Sequence, residues 1–294
     1  MHSGFVSLIG RPNVGKSTLI NALVDQKIAI TSDKAQTTRN IIQGIYNEPD
    51  YQIVFIDTPG IHKPDSRLGR ALNKQSYSFM KEVDAVLFVI DAAQGIGKGD
   101  RFIMENLEKS DAPVILVINK IDKISDEALL YTINEYKDIF PFAEIVPVSA
   151  LKKDNVERLI YVIKKYLKDE IKYFDEELVT SNSIRFMVGE IVREKLLNVT
   201  IEEVPHSLTC QCVSYNEKSD IVNINVDIIV DRDSIKKIVI GKNGERLKNI
   251  GMLARKEIEE LVGKKVYLEL YVKTVKNWKE KESYLNDLGF LDFQ

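Results

Sequence analysis

The sequence predicts an α/β domain with a doubly wound parallel sheet, followed by a smaller α+β domain. In the first half, short apolar runs alternate with stretches of helical spacing. In the second half, two strands of alternating polarity form a hairpin, and two helices follow each other directly. The length of 294 residues suits two domains of ordinary size.

The predicted strands of the first half are near-continuous apolar runs, as expected for strands that are buried on both faces. In chain order they are FVSLIG, YQIVFID, DAVLFVID, APVILVIN and FAEIVPVS. Helical stretches such as SRLGRALNKQSYSFMKEV and DNVERLIYVIKKYL separate them. This alternation indicates a parallel sheet, in which ligands bind at the carboxyl ends of the strands.

The stretch GRPNVGKS follows the first predicted strand and opens a helix, the context in which G-x-x-x-x-G-K-[ST] indicates a phosphate-binding loop. Glycines let the backbone N–H groups point at phosphate oxygens. Lys16 then supplies a positive charge for the β- and γ-phosphates, and Ser17 a hydroxyl for Mg²⁺. The predicted nucleotide-binding residues of this loop are Gly10, Arg11, Pro12, Asn13, Val14, Gly15, Lys16 and Ser17.

The stretch VFIDTPG ends another apolar strand. Asp57 is placed to hold the hydration shell of Mg²⁺, and the Gly60 N–H can bind a γ-phosphate, a contact that exists only in the triphosphate state. Asp-Thr-Pro-Gly is also a good turn, but its spacing after the phosphate loop favours the functional interpretation. The predicted nucleotide-binding residues here are Asp57, Thr58, Pro59, Gly60 and Ile61.

The polar stretch SDKAQTTRN lies where a nucleotide-sensing loop is expected. We predict Thr38 as the Mg²⁺ ligand that detects the γ-phosphate, with Thr37 as the alternative. A plain solvated loop is the competing interpretation. The predicted catalytic residues are Lys16, Thr38 and Gly60, and the predicted metal ligands are Ser17, Thr38 and Asp57.

The stretch VINKID, residues 117–122, is expected to select the base. The Asp122 carboxylate can accept from N1–H and the N2 amine of guanine, donors that adenine lacks. Asn119 can tie the loop together, and the Ala150 N–H in VSAL can donate to guanine O6. Adenine would leave polar groups unpaired, which predicts guanine selectivity. The predicted base-binding residues are Asn119, Lys120 (its stem along the ring), Ile121, Asp122, Ser149 and Ala150.

The second half has the predicted order α-β-β-α-α-β, with Gly241-Lys242-Asn243-Gly244 between the two consecutive helices. No strand precedes this turn and no Ser or Thr follows its Gly-Lys, so it is not a second phosphate loop. A G-x-x-G turn between helices is the clamp of KH domains, which hold about four nucleotides of single-stranded RNA. The predicted RNA-binding residues are Ile238, Ile240, Gly241, Lys242, Asn243 and Gly244, with the two isoleucines as the floor of a groove.

The charge distribution agrees with a polyanionic partner for this turn. Residues 232–281 hold 14 basic and 7 acidic side chains, whereas the whole chain has a net charge of −3. A basic segment on an acidic protein favours nucleic acid as the partner. On charge alone, a solvated helical face is at least as good an interpretation.

In this order, GRPNVGKS, TTR, DTPG, NKID and SAL resemble a translation-factor-type GTPase. With a C-terminal KH module of type II (αββααβ), they resemble the Era family of bacterial GTPases over essentially the whole chain. The resemblance implies a P-loop GTPase domain at residues 1–172, a linker at 173–183 and a KH domain with a tail at 184–294. It also implies hydrolysis of GTP to GDP and phosphate with Mg²⁺, binding of 16S ribosomal RNA, and a role in 16S rRNA processing and assembly of the 30S subunit.

Ile61 follows DTPG, where signalling GTPases carry a water-orienting glutamine. Some glutamine-lacking GTPases use K⁺ beside an Asn at the position of Asn13, so K⁺ is a candidate second cation. Two other function classes remain open: a metabolic enzyme that uses nucleotide phosphoryl transfer, and an RNA-binding scaffold whose nucleotide site is only structural.

The expected location is the cytoplasm, and the expected state is a monomer. No apolar run approaches the ~18 residues that span a bilayer, and the N-terminus is not of the signal-peptide type. Cys210 and Cys212 are interpreted as reduced thiols with packing roles. Family resemblance adds peripheral association with the cytoplasmic membrane, although the sequence shows no anchor.

Trp278 is expected to pack, with base stacking as the alternative, and the stretch LNDLGFLDF is expected to pack against the second domain.

Overall fold

The computed structural model describes residues 1–34, 36–80 and 82–291. Three sequence predictions therefore lie partly outside the described residues. Ala35 belongs to the predicted sensing loop, Lys81 to a predicted helix, and residues 292–294 to the predicted tail. By their packing, the described residues form two compact units, residues 1–31 with 38–181, and residues 32–37 with 182–291.

The first unit contains a six-stranded sheet. Its strands are β1 (His2–Ile9), β2 (Ile42–Glu48), β3 (Tyr51–Asp57), β4 (Ala85–Asp91), β5 (Val114–Asn119) and β6 (Glu144–Val148). They are ordered β2-β3-β1-β4-β5-β6, and all neighbours are parallel except β2 and β3. The predicted parallel sheet is confirmed for five strands, whereas the antiparallel strand β2 was not predicted.

A helix follows each of the five parallel strands. The helices are α1 (Lys16–Leu23), α2 (Arg67–Ser78), α3 (Lys98–Leu107), α4 (Asp126–Lys137) and α5 (Val156–Lys164). The strands β2 and β3 both lie between α1 and α2. The side chains of Ser66 and Ser125 cap α2 and α4 by accepting from backbone N–H groups. Every residue of β4 and β5 is buried, so both faces of the central sheet are covered. This is the doubly wound arrangement.

The edge strand β2 pairs with part of the predicted linker. The Ile45 N–H donates to the Val179 carbonyl at 2.9 Å, and the Thr180 hydroxyl donates to the Gln43 carbonyl at 2.7 Å. This pairing satisfies backbone groups that an open sheet edge would leave exposed. The first compact unit accordingly extends to Ser181. The functional domain limits given above stay predictions.

The second unit has the predicted order of elements. They are α6 (Ile184–Val199), β7 (Leu208–Glu217), β8 (Ile221–Val230), α7 (Asp233–Ile240), α8 (Glu245–Val262), β9 (Lys265–Thr274) and a short C-terminal α9 (Glu282–Asp287). The sheet order is β7-β8-β9, with β7 antiparallel and β9 parallel to β8. Alternate residues of β8 from Val222 to Ile228 are buried in a core shared with α6, α7 and α8. The period of two along β8 therefore sets which face meets the helices.

The C-terminal tail packs onto this unit. Trp278 is fully buried, its indole N–H donates to the Ser207 carbonyl at 3.1 Å, and its ring lies 6.3 Å from that of Phe290. Leu285 is also buried. The packing interpretation of Trp278 is confirmed. Within the described ranges, none of the helices combines the length and the apolar character needed to cross a bilayer.

Candidate nucleotide site and RNA-binding turn

The phosphate loop lies between β1 and α1 and is held in one shape by close packing. Gly15 has φ 98°, and a Cβ there would lie 2.3 Å from Nδ2 of Asn119. Lys16 is only 6% exposed, and its Nζ donates to the carbonyls of Gly10 (3.1 Å) and Arg11 (3.2 Å). The loop is therefore curled around its own lysine, as phosphate binding requires.

Burial works against the charges of this site. It lowers the pKa of Lys16 to about 8, an effect that the negative charge of Asp57 partly offsets. It raises the pKa of Asp57 to about 6, partly offset by Lys16 and by hydrogen bonds from Ser17 and Thr38. An anion beside Lys16 and a cation beside Asp57 would stabilise both charged forms. The electrostatics therefore suit a metal–phosphate ligand.

Three predicted metal ligands come together in the structure. The Ser17 hydroxyl donates to Oδ2 of Asp57 at 2.7 Å and lies 2.7 Å from the Thr38 hydroxyl. Oδ1 of Asp57 is buried and has no hydrogen-bond partner among the described residues. An uncommitted carboxylate oxygen next to two hydroxyls is a set of hard oxygen donors that fits Mg²⁺.

The alternative threonine is oriented elsewhere. The Thr37 hydroxyl donates to the Lys34 carbonyl at 2.6 Å, and the Thr37 carbonyl accepts from the guanidinium of Arg193. Arg193 is buried and pairs with Glu190 one turn earlier on α6. Thr37 is thus held within the second compact unit, while Thr38 belongs to the first and reaches Ser17.

The Asp-Thr-Pro-Gly segment lies directly against the phosphate loop. The Ile61 N–H donates to the Gly10 carbonyl at 3.2 Å, and a Cβ on Gly60 would lie 2.8 Å from the Pro12 nitrogen. Ile61 is 2% exposed and part of the core, so its side chain is not available to orient water. The Thr58 hydroxyl donates to the Leu8 carbonyl inside the core, which is a structural role.

Asn119 joins the base loop to the other loops. Its Nδ2 donates to the Val14 carbonyl at 2.9 Å, and its Oδ1 accepts from the Ala150 N–H at 3.0 Å. The predicted hydrogen bonds by which Asn119 holds the loops together are therefore present. Because the Ala150 N–H already has an acceptor in Asn119, donation to a guanine O6 requires this hydrogen bond to be shared or exchanged.

The rest of the base loop presents one carboxylate to solvent. Asp122 is exposed, and its Oδ1 accepts from the Ser149 hydroxyl, which orients the group. Lys120 donates from Nζ to Oδ2 of Asp91 and to the Asn13 carbonyl, both at 2.6 Å. Asp91, which ends β4, was not predicted. Its position at the carboxyl end of a buried strand was the signal that could have identified it.

Two arginines lie near the site in the sequence. Nε of Arg11 pairs with Oδ1 of Asp100 at 2.9 Å, which ties the phosphate loop to α3. Burial raises the pKa of Asp100 despite this pairing. The Arg11 side chain is therefore paired with α3, and it is the Arg11 carbonyl that contacts Lys16. Arg39, which follows Thr38, is buried.

The G-x-x-G turn is the shape that its sequence predicts. Positive φ angles of 75°, 51° and 79° occur at Gly241, Asn243 and Gly244, between the end of α7 and the start of α8. Lys242 and Asn243 are exposed. Of the two predicted floor residues, Ile238 is 40% exposed, whereas Ile240 packs partly against the core.

Two family profiles match the two halves of the chain. The profile described as "50S ribosome-binding GTPase" matches residues 5–120, and the profile described as "KH domain" matches residues 203–279. These ranges contain the phosphate loop and the G-x-x-G turn, respectively.

Two solved structures are similar over the whole chain. One is Era in complex with MgGDPNP and nucleotides 1506–1542 of 16S ribosomal RNA, with 42% identity, coverage of 99% of both chains and a TM-score of 0.96. The other is a single-residue variant of Aquifex aeolicus Era bound to GDP and AlF4⁻, with 41% identity, coverage of 99% of both chains and a TM-score of 0.95. The chain belongs to the Era family of GTPases.

Proposed function

We propose that this protein is a GTP-hydrolysing switch that binds 16S ribosomal RNA and acts in 16S rRNA processing and assembly of the 30S subunit. The observation that carries the proposal is the presence of both sites on one chain, a guanine-type nucleotide site and a G-x-x-G turn. The similar Era structure with MgGDPNP and a 16S rRNA fragment supports it, because the similarity covers both sites.

In this proposal Lys16, Thr38 and Gly60 act at the γ-phosphate of GTP. Mg²⁺, held through Ser17, Thr38 and Asp57, would neutralise charge on the β- and γ-phosphates. The convergence of the three oxygen side chains and the buried, unpartnered Oδ1 of Asp57 support this assignment. The distinct hydrogen bonds of the two threonines favour Thr38 over Thr37.

Base selection is proposed to rest on Asp122, whose exposed carboxylate is oriented by Ser149. On the second unit, Gly241 and Gly244 would allow the RNA backbone to approach, while Lys242 would pair with a phosphate. The exposure of Lys242 and Ile238 beside the turn supports these roles.

We also propose that the protein is a cytoplasmic monomer that associates peripherally with the inner face of the membrane. The family resemblance supports this location, and the basic segment 232–281 offers charge that would attract anionic headgroups. Light scattering tests the monomer, and co-sedimentation with anionic vesicles tests the membrane association. A dimer, or equal recovery with neutral and anionic vesicles, would contradict the respective part.

The main test measures GTP turnover and RNA affinity in the same preparation. We expect Mg²⁺-dependent conversion of GTP to GDP and phosphate, and binding of an RNA with the 3′ sequence of 16S rRNA. Lys242→Glu should weaken RNA binding and leave basal turnover unchanged. Absence of turnover with and without RNA would favour the scaffold. Turnover that needs a small-molecule phosphoryl acceptor would favour the metabolic enzyme.

A further inference from the structure

The solvent-facing side of α2 carries a row of basic side chains. Arg70 and Lys74 are exposed and lie one turn apart, with the partly exposed Arg67 one turn earlier and the exposed Lys63 just before the helix. The same stretch of chain holds one acidic residue, Asp65. Because the opposite side of α2 is buried, solvent meets this helix mainly through these four basic side chains, which we call the basic face of α2.

The charges of the basic face are placed where they lower the stability of their own helix. The helix dipole disfavours cations near the N-terminus and favours acids there. Arg67 begins α2 and Arg70 is its fourth residue, while the first turn has no acidic residue and the last turn no basic one. In contrast, α4 begins with Asp126 and Glu127 and ends with Lys137. A helix that departs from the favourable arrangement on its exposed side is expected where the charges serve a ligand.

The folded chain provides no counter-charge for two of these residues. In the part of the chain that the structure describes, Arg70 and Lys74 form no ion pair. Lysines elsewhere do, since Lys120, Lys164 and Lys195 each pair with a carboxylate. Two unpaired cations one turn apart on a helix can contact phosphates along a nucleic-acid backbone, each of which carries one negative charge. The basic face therefore suits an extended polyanion.

The buried side of α2 is attached to the segment that is proposed to meet the γ-phosphate. The Ser76 hydroxyl donates to the Pro59 carbonyl at 2.8 Å, and Nδ2 of Asn73 donates to the His62 carbonyl at 2.6 Å. Gly60 lies between these two attachment points in the sequence. A ligand that holds the outer side of α2 in place would therefore also restrict the backbone around Gly60.

We propose that the basic face of α2 is a second RNA-contact surface, which binds phosphates of 16S rRNA outside the strand held by the G-x-x-G turn and thereby also holds the segment that carries Gly60. The inference rests on the proposed function. RNA is the expected polyanion, because the proposed function already includes a long RNA on the same chain and each further phosphate contact adds to its affinity.

The test compares the full wild-type chain with Arg70→Glu/Lys74→Glu. Affinity for 16S rRNA should fall by tenfold or more, and the slope of log affinity against log salt should decrease by about 1.4, the value for two phosphates of a single strand. At saturating RNA, any rise in the GTP hydrolysis rate caused by RNA should shrink at least several-fold. GTP affinity should not change. The melting temperature should stay the same or rise by about 1–3 °C, because an acid replaces a base near the start of the helix.

Two control variants accompany this one. Arg101→Glu/Lys109→Glu makes the same change of charge at two exposed positions on and just after α3, and it should leave RNA affinity unchanged. Arg70→Lys/Lys74→Arg keeps both charges of the basic face and should retain most of the RNA affinity. A lower melting temperature for Arg70→Glu/Lys74→Glu would overturn the inference, since it would show that the two side chains stabilise the fold.

The remaining outcomes separate the inference from the proposed function. Equal loss of RNA affinity in both charge-reversal variants would overturn the inference, because the RNA would then respond only to net charge. Stimulation of hydrolysis that Arg70→Glu/Lys74→Glu retains in full, or that the wild type lacks, would also overturn it. Loss of binding to anionic vesicles with unchanged RNA affinity would assign the basic face to a membrane instead.

A last comparison uses the turn itself. If Lys242→Glu weakens RNA binding but Arg70→Glu/Lys74→Glu does not, the inference is wrong and the proposed function stands. If the wild-type chain does not bind 16S rRNA, the proposed function fails, and the inference with it.

Discussion

The phosphate loop and the G-x-x-G turn both place a lysine next to a glycine, but in opposite surroundings. Lys16 is buried and donates to two backbone carbonyls, whereas Lys242 is exposed. The space beside Gly15 is filled by Asn119, whereas no atom of the described residues lies within 4 Å of a Cβ on Gly244. In the proposed function, the first loop would enclose a compact polyanion, and the second would present an open surface to a long one.

This contrast implies different energetics for the two ligands. In the enclosed site, charges interact at low dielectric, so small changes in geometry have large effects. At the exposed turn, water and salt screen each charge, so affinity must come from several weak contacts. The predictions below test this difference, beginning with the largest expected effect.

Adding one methyl group should distinguish the loops most strongly. Gly15→Ala would force a side chain into the left-handed region and onto Asn119, so we expect nucleotide affinity to fall about 10³-fold. Gly244→Ala meets no atom and adds only backbone strain, about 1 kcal/mol of stability, so nucleotide affinity should stay the same. Titration with a fluorescent GTP analogue and urea unfolding measure both effects.

The wild-type chain and Gly95→Ala serve as controls for this pair. Gly95 also has a positive φ and an open Cβ position, but it lies in the nucleotide-binding unit. It should therefore behave like Gly244. Equal loss of nucleotide affinity in all three variants would show that strain alone, and not the enclosed packing of Gly15, determines the outcome.

Base selection should depend on a single carboxylate. Asp122→Asn replaces an acceptor with an amide that can donate to the carbonyl group of xanthine. We expect GTP affinity to fall by about 10²-fold or more while XTP affinity rises, since unpaired polar groups discriminate strongly. Competition between GTP and XTP measures the change. Asp126→Asn at the start of α4 is the matched control, and unchanged GTP affinity in Asp122→Asn would refute the base-loop assignment.

Much of this architecture could be predicted because the signals are local. The apolar runs of β1, β3, β4, β5 and β6 and the helix pair around Gly241 are read from neighbouring residues. β2 was missed because IQGIYNE is a short mixed run with a glycine in it, and its partner on the outer edge is a segment near residue 179. Only the folded chain brings those two together.

Side-chain roles that depend on distant partners could not be predicted. Arg11 pairs with Asp100 across 89 positions, and Lys120 reaches Asn13 across 107. A motif shows that such residues belong to the loop but not which groups they contact. For the same reason, the sequence left open whether Thr37 or Thr38 approaches Ser17. The hydrogen bonds of the folded loop favour Thr38.

GTP hydrolysis should be slow until RNA or a cation completes the set of groups that assist the attacking water. Ile61 is buried in the core and Arg39 is buried beside the sensing loop, so neither is placed on the surface to assist the attacking water. We expect 16S rRNA or K⁺ to raise the single-turnover rate by at least about tenfold, below the ~10³–10⁵ that an external arginine supplies elsewhere. Reactions in Na⁺ and in K⁺, with and without RNA, separate the two sources.

Asn13→Ala identifies the K⁺ contribution in the same assay. If K⁺ acts beside Asn13, this variant should lose the difference between K⁺ and Na⁺ but keep the response to RNA. Fast hydrolysis in Na⁺ without RNA, equal to the fully supplemented rate, would show that the enclosed site is already complete.

The smallest expected effect concerns the exposed lysine. Removing one phosphate contact by Lys242→Ala should lower RNA affinity only a few-fold and reduce the slope of log affinity against log salt by about 0.7, the value for one phosphate of a single strand. Lys256→Ala is the matched control, because this exposed lysine lies about three turns after Gly244 on α8, and it should leave the slope unchanged. Filter binding between 50 and 300 mM KCl measures the slope for each variant.

Because the turn is open, Lys242→Ala should leave GTP affinity and its salt dependence unaltered. A Lys242→Ala slope equal to that of the wild type would mean that Lys242 does not contact a phosphate, and the positive charge that meets the RNA would have to lie elsewhere in residues 232–281.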